Sequence, residues 1–332
     1  MVLALVGVSR GVLGDYAARS RGTGADIIVK PPDSSALSFS LTMPEGIVAL
    51  LRKEPHVVMA TGTFVQQFDN FNSVTGIHPE EFAKMSGGLR YLDGQAFANP
   101  DDLVIDDVFA RGRKIKVGGT VELGHKWHVT GIVEPGKLSR TFTNITSLQS
   151  MFAAPDKISV AYVKVDDPAN TQVVVDSLRN KLETYKVYSA EEMLSLLTVD
   201  SVPFLKGFTN VVIGLAVIGG CLAVALVMYM TVLERTREIG ILKAMGASPA
   251  YIMGLLLRET IVLALLGAIA GIVMSFGTRE LLAVFAPTFS QQIVPDWFPI
   301  ATLIALGGAV LGSVYPGLKA ARQDAIEALT YD

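Results

Sequence analysis

The sequence predicts an α+β membrane protein: transmembrane helices in its last part, preceded by a large extracytoplasmic α/β domain that carries a mostly β insertion. Three observations point there. The chain is 50% hydrophobic and 18% charged, with a mean hydropathy of +0.44, too apolar for an average soluble protein and too charged to be membrane throughout. Charge is unevenly placed, since 21 of the 28 basic and 23 of the 31 acidic residues lie between Ser9 and Lys206. The rest contains three charge-free apolar stretches, Phe208 to Leu233, Thr260 to Thr278 and Trp297 to Leu318, each long enough to cross a hydrocarbon core of about 30 Å. A net charge of −3 supplies no basic face for nucleic acid, which is not expected as a partner. The one cysteine, Cys221, sits in an apolar stretch, so no internal disulfide can form.

The first residues, Met1 to Val8, are apolar, but eight helical residues rise only about 12 Å and cannot span a membrane alone. No basic residue precedes Val2, as a signal peptide would require. Gly11 to Arg21 reads as a separate short helix. In the polar half, Ala25 to Lys30 reads as a strand stopped by Pro31-Pro32, Pro44 to Lys53 as a helix, and His56 to Gln67 as a second strand. The order returns in Ile158 to Val165, Asn170 to Thr184 and Lys186 to Tyr188, which makes residues 25–68 and 149–188 a split α/β sandwich. Residues 69–148 read as the β-rich insertion, with short strands at Leu103 to Ile105, Ile115 to Val117, Thr120 to Leu123 and Trp127 to Val133.

Apparent catalytic and metal sites in this half fail on inspection. Gly119 to Lys126 has the glycine spacing of a phosphate loop, but His125 stands where lysine is needed and the context is β. His125 and His128, an odd number of residues apart on a strand, point to opposite faces. Asp101-Asp102 and Asp106-Asp107 read as solvated acids in a turn and at a strand end. His78, Glu80 and Glu81 fall in a loop with nothing to complete a catalytic set. No enzyme, metal site or cofactor is therefore expected.

Ser189-Ala-Glu-Glu192 is a capping box opening a stalk, residues 189–207, that runs on through Pro203 with a bend near the membrane surface. The transmembrane domain, 208–332, follows. With no ionisable groups in its spans, it lacks what ion-coupled carriers use to bind and relay cargo. It has small residues at four-residue spacing, with Gly220, Gly267, Gly271, Gly308 and Gly312 as the candidates for close helix packing. Between the first two stretches lies Glu234-Arg-Thr-Arg-Glu-Ile-Gly-Ile-Leu-Lys-Ala-Met-Gly-Ala-Ser248. Its charged start and spaced Ile239, Ile241, Leu242 and Met245 predict a brief amphipathic helix at a membrane surface. An ordinary loop whose arginines fix topology would share that composition.

The segment Arg235 to Ala247 closely resembles the signature loop of the FtsX-like, MacB-type permease family of ABC transporters. The tail Tyr315-Pro-Gly-Leu-Lys-Ala-Ala-Arg-Gln-Asp-Ala-Ile-Glu-Ala-Leu329 resembles that family's C-terminal pattern, except that Ala325 stands where proline is usual. Two motifs in order, each beside a span, are far more specific than one. The resemblance implies that residues 234–250 carry a coupling helix for a separate cytoplasmic ABC ATPase, with Glu234, Arg235, Arg237, Glu238, Ile239, Gly240, Leu242, Lys243, Met245 and Gly246 as the docking residues. Arg235 and Arg237 are expected to face lipid headgroups or acidic groups on that partner. The resemblance also implies a four-helix transmembrane unit with a full first span, so residues 1–24 read as a truncated first helix and an outer linker. Its further implications are a permease homodimer and a periplasmic adaptor.

Arg235, Arg237, Lys243, Lys319 and Arg322 flank the spans on one side, against Arg279 alone in the loop Gly277 to Asp296. The positive-inside rule then places loop 234–250 and the C-terminus in the cytoplasm of a bacterial cell and residues 25–206 outside. Arg10, Arg19 and Arg21 run against that tendency. Two functions are open at this point. One is the permease subunit of a MacB-like exporter that passes ATP-driven motion to its outer domain; the other is an FtsX-like signalling subunit that activates a cell-wall hydrolase without moving cargo.

Overall fold

A computed structural model of the chain describes residues 1–35, 41–68, 72–198 and 203–322. Contacts divide it into two units, a membrane unit of 1–10, 203–282 and 291–332 and an outer unit of 11–202 and 283–290.

In the outer unit the elements run in order α1 (Val2–Arg21, entering from the membrane unit), β1 (Ile27–Lys30), β2 (Met43–Pro44), α2 (Ile47–Leu51), β3 (Val57–Gln67), β4 (Ser73–Ile77), α3 (Pro79–Ser86), β5 (Tyr91–Gly94) and β6 (Asp102–Asp106). There follow α4 (Asp107–Arg113), β7 (Thr120–Glu122), β8 (Lys126–Val133), β9 (Thr141–Asn144), α5 (Ile145–Met151), β10 (Lys157–Ile158), β11 (Val160–Val165), α6 (Thr171–Lys181), β12 (Lys186–Ser189) and α7 (Ala190–Ser195). One sheet has the order β12-β1-β11-β3-β4-β9-β6-β8-β5, with β7 paired to β8. The eleven-residue β3 is twice the usual strand length. Its residues 57–63 pair with β11 and its residues 64–67 with β4, so a single strand serves both halves of the sheet. β8 alternates exposed Lys126 and His128 with buried Trp127 and Val129, the period of a strand with one covered face. Trp127, Leu103, Ile105, Phe64, Leu148 and Val163 lie in one core.

Several expectations are corrected. Residues 69–148 include three helices, α3, α4 and α5, each of eight residues or fewer and too short to declare a 3.6-residue period. Ile115 to Val117 is not a strand: the left-handed Lys114 caps α4 and turns the chain there. The helix of Pro44 to Lys53 is only α2, because Pro44 is drawn into β2, where it pairs with β10. Glu80 and Glu81 form the first turn of α3, not a loop, with His78 beside Glu45 at 2.7 Å. Gly119 to Lys126 is the β7–β8 hairpin. His125 and His128 lie beside Asp101 and Asp102, at 3.0 and 3.8 Å.

Asp102 and Asp106 are buried, not solvated. The Asp102 carboxylate accepts the Ala98 and Asn99 amides at 2.9 and 2.8 Å. Asp106 caps α4 by accepting the Phe109 amide at 2.7 Å. Burial pushes Asp106 up to about 6, against the opposing pull of the Arg140 charge and the Phe109 amide.

The membrane unit has α8 (Pro203–Glu234), α9 (Thr236–Ala244), α10 (Pro249–Phe285) and α11 (Trp297–Arg322). Three of these helices are long and apolar enough to cross a membrane. The 37 residues of α10 rise about 56 Å, so it extends well past a hydrocarbon core and takes up residues expected in the loop after Gly277. The stalk is not one helix: α7 ends at Ser195, and residues 199–202 lie outside the described residues. Pro203 opens α8 rather than bending it, since a first-turn proline has no amide to satisfy. Only the serine half of the capping box forms: Ser189 Oγ accepts the Glu192 amide at 3.0 Å, while the Glu192 carboxylate pairs with Arg179. Residues 2–21 form one continuous helix rather than two pieces. Two of its three arginines are paired, Arg10 with Asp296 at 2.7 Å and Arg19 with Asp15 at 3.2 Å.

Asp106→Ala is expected to destabilise the outer domain by about 1 to 2 kcal/mol through loss of the α4 cap, read by Trp127 fluorescence on thermal unfolding in detergent. Asp106→Asn keeps a capping oxygen but cannot ionise. The native acid holds its proton more tightly than the unfolded one, so its stabilising effect is full below pH 4 and lost as pH rises through about 6. Relative to Asp106→Asn, the wild type should therefore gain stability between pH 7 and pH 5.

Candidate functional site: the α9 surface helix

The α8–α10 reversal is built from local backbone chemistry. Glu234 ends α8, and Arg235, outside the helical region at φ −103°, redirects the chain into α9. At the far end Gly246 has φ +95°, a left-handed conformation that costs glycine nothing. Its amide donates to the Lys243 carbonyl at 2.9 Å and the next amide, of Ala247, to the Leu242 carbonyl at 3.0 Å, the paired bonds of a Schellman stop. Ser248 then caps α10 by accepting the Tyr251 amide at 3.2 Å, with Pro249 in the first turn.

The helix has two unlike sides. Ile239 is buried among Met228, Val232, Ile252, Leu256 and Ala320, which come from α8, α10 and α11. Thr236 and Gly240 are buried on the same side. Lys243 reaches across to donate to the Ala321 carbonyl at 2.7 Å, placing a cation at the C-terminal end of α11, where the helix dipole favours one. Leu242 and Lys243 are only half-exposed. On the opposite side Glu234, Arg237, Glu238, Ala244 and Gly246 are exposed, with Ile241 45% and Met245 72% exposed. Arg237, Ile241 and Met245 recur every fourth residue and so form one stripe.

The ten docking residues expected from the sequence are thus divided by the helix. Ile239, Gly240, Leu242 and Lys243 turn toward their own chain, while Glu234, Arg237, Glu238, Met245 and Gly246 are exposed. Arg235, expected to face headgroups or a partner, stands 3.4 Å from Glu259 of α10, because the reversal folds α10 back along α8. Ile241 belongs to the outer stripe and was not among the ten. Its position, four residues after Arg237 and four before Met245, was the available signal.

The glycines divide as well. A Cβ on Gly312 would stand 2.5 Å from the Cys221 carbonyl oxygen, and one on Gly308 would be 4.0 Å from Val217, so α11 lies close along α8. Gly220, Gly267 and Gly271 meet nothing within 4 Å of an added Cβ. With Gly308 they line an apolar cavity of about 640 Å³ among the membrane helices. Among the described residues no three His, Cys, Asp or Glu side chains are grouped to hold a metal.

Two family models match this layout, the MacB-like periplasmic core domain over residues 1–181 and the FtsX-like permease C-terminal domain over residues 210–325. The chain belongs to the FtsX-like, MacB-type permease family of ABC transporters. It is 28% identical over 68% of its length, and 56% of the relative's, to an uncharacterized ABC transporter permease, YknZ, of Bacillus subtilis (strain 168). It is 27% identical over 73% of its length to the macrolide export ATP-binding/permease protein MacB of Acinetobacter baylyi, of which it covers 40%. The chain spans about half the length of the curated relatives it matches. The periplasmic region of MacB from Actinobacillus actinomycetemcomitans aligns with a TM-score of 0.38 at 14% identity, over 52% of this chain and 92% of that one. Family and apolar helices together make this permease a membrane protein with a MacB-like periplasmic domain.

The two sides of α9 should respond differently to substitution. Ile239→Ala is expected to cost about 2 to 5 kcal/mol, as for other buried Ile to Ala changes, and to lower the melting temperature of the purified permease. Ile241→Asp and Met245→Asp should leave that temperature within the scatter of surface changes.

Proposed function

We propose that this chain is the permease subunit of a MacB-like ABC exporter, and that the outer stripe of α9 is where a separate cytoplasmic ATPase docks. The single observation that supports this reading is the division of α9: its inner side is anchored by Ile239 and Lys243 to three membrane helices, while Arg237, Ile241 and Met245 form a charged and apolar stripe with no place in the core. A helix held firmly on one side and open on the other can receive a push and pass it on. In this reading ATP binding and hydrolysis occur on the partner, which drives α9. The motion travels along α8 and α11, packed together at Gly312, toward the outer domain, and residues 189–207 serve as the stalk.

The membrane unit is proposed to have four helical members. Leu3 and Val6 of α1 are buried against Val294, beside Ile272, Trp297 and Phe298, which supports α1 as the fourth. Loop 234–250 and the C-terminus are placed in the cytoplasm and the outer domain outside, on the strength of the basic residues at the α9 end. A permease homodimer and a periplasmic adaptor complete the assembly by analogy with the family. MacB of Acinetobacter baylyi is named as an ATP-binding and macrolide export protein, and the proposal extends export, without the cargo, to this chain.

The test is co-purification with the candidate ATPase from membranes. Arg237→Glu, Ile241→Asp and Met245→Asp are each expected to weaken the complex at least about fivefold, since loss of a central contact costs more than about 1 kcal/mol, with insertion unchanged. Retention of the ATPase by all three variants would rule the docking surface out.

A further inference from the structure

A second group of charged side chains lies in the outer unit and has no part in the docking site. Arg140, at the end of the β8–β9 loop, is largely buried. Its Nη2 donates to Asp15 Oδ2 at 2.9 Å and to the Thr288 carbonyl oxygen at 3.5 Å, and its Nη1 stands 3.5 Å from Asp106 Oδ2. These partners come from three segments: the outer half of α1, the cap of α4, and the turn between α10 and α11.

Each segment has a further tie to the same place. The Arg19 carbonyl of α1 accepts the Leu138 amide of the β8–β9 loop at 2.8 Å. Gly22, just past α1, approaches that loop so closely that a Cβ would overlap the Gly136 carbonyl oxygen. Gly112 of α4 lies under the α10–α11 turn, where a Cβ would be 3.3 Å from both the Pro287 ring and the Thr288 methyl. A guanidinium suits the centre of such an arrangement, because its planar fork can donate in several fixed directions at once, whereas an ammonium is a single point charge.

The chain itself passes between the membrane unit and the outer unit at four places, after residues 10, 202, 282 and 290, so the outer half of α1 and the α10–α11 turn both belong to the outer unit. We infer that Arg140 is a positioning residue that clasps the α10–α11 turn and the outer half of α1 to the sheet of the outer unit. That this clasp carries motion rests on the transmission reading above; the clasp itself rests on the contacts around Arg140.

The test uses the full chain in membranes, without the ATPase, carrying Cys221→Ser, Gly112→Cys and Thr288→Cys. Mild oxidation is expected to link positions 112 and 288, whose closeness suits disulfide geometry. Adding Arg140→Met should slow the cross-link about tenfold, the effect of losing charge-assisted hydrogen bonds, and adding Asp15→Asn should slow it less. Absence of the cross-link, or a rate indifferent to both changes, would overturn the inference. Should Arg140→Met fail to accumulate in membranes, the Asp15→Asn rate decides. Because no ATPase is present, this outcome is independent of whether the α9 stripe docks one.

Discussion

Where the chain reverses between the end of α8 at Glu234 and the start of α10 at Pro249, its backbone donors and acceptors need new partners. The short α9 supplies them with its own helical bonds, a paired stop at Gly246 and a serine cap on α10. A helix of nine residues is too short to hold itself together in water. Its stability must come from what it leans on, and the Ile239 contact with α8, α10 and α11 provides that support. Burying one side leaves the other outward, so the exposed stripe follows from the same constraint that keeps the helix folded.

The outer domain solves a different problem with similar means. Its acids at Asp102 and Asp106 are buried and held by amides three or four residues away, whereas Arg140, largely buried, is held by groups from distant parts of the chain. Burying charge is costly unless it is paired and hydrogen-bonded, and here the partners are backbone amides for the two acids, and carboxylates with one carbonyl oxygen for Arg140. The polar groups therefore fix how loops sit on the sheet, while the apolar core around Trp127 and Phe64 supplies most of the stabilisation.

Much of this was legible from the residues. Charge-free stretches marked α8, α10 and α11, and the charged cluster followed by spaced isoleucines marked α9. Hydropathy could not tell which apolar residues of α9 are covered, because Ile239 and Ile241 are chemically alike and differ only in what stands opposite them. The burial of Asp102 and Asp106 was invisible for a related reason: the amides that bond them, of Ala98, Asn99 and Phe109, are within four residues, but what covers the carboxylates is set by the fold around those turns. Helices of seven or eight residues, such as α3 and α4, carry too little periodicity to be seen. Gly11 looked like the start of a separate helix, yet α1 runs unbroken through it. The strand order, in which β12 and β5 form opposite edges, is a long-range result that no local pattern contains.

The long β3 has a bearing on how the outer domain can yield. Its first residues hold one edge of the β11 half and its last residues hold one edge of the β4 half, much as one warp thread runs through two panels of cloth. Residues 57–63 and 64–67 belong to one unbroken strand, so the two panels are joined by extended backbone and not by a loop. A shift of one panel is passed directly to the other through that shared strand, with no connecting segment between them to absorb it.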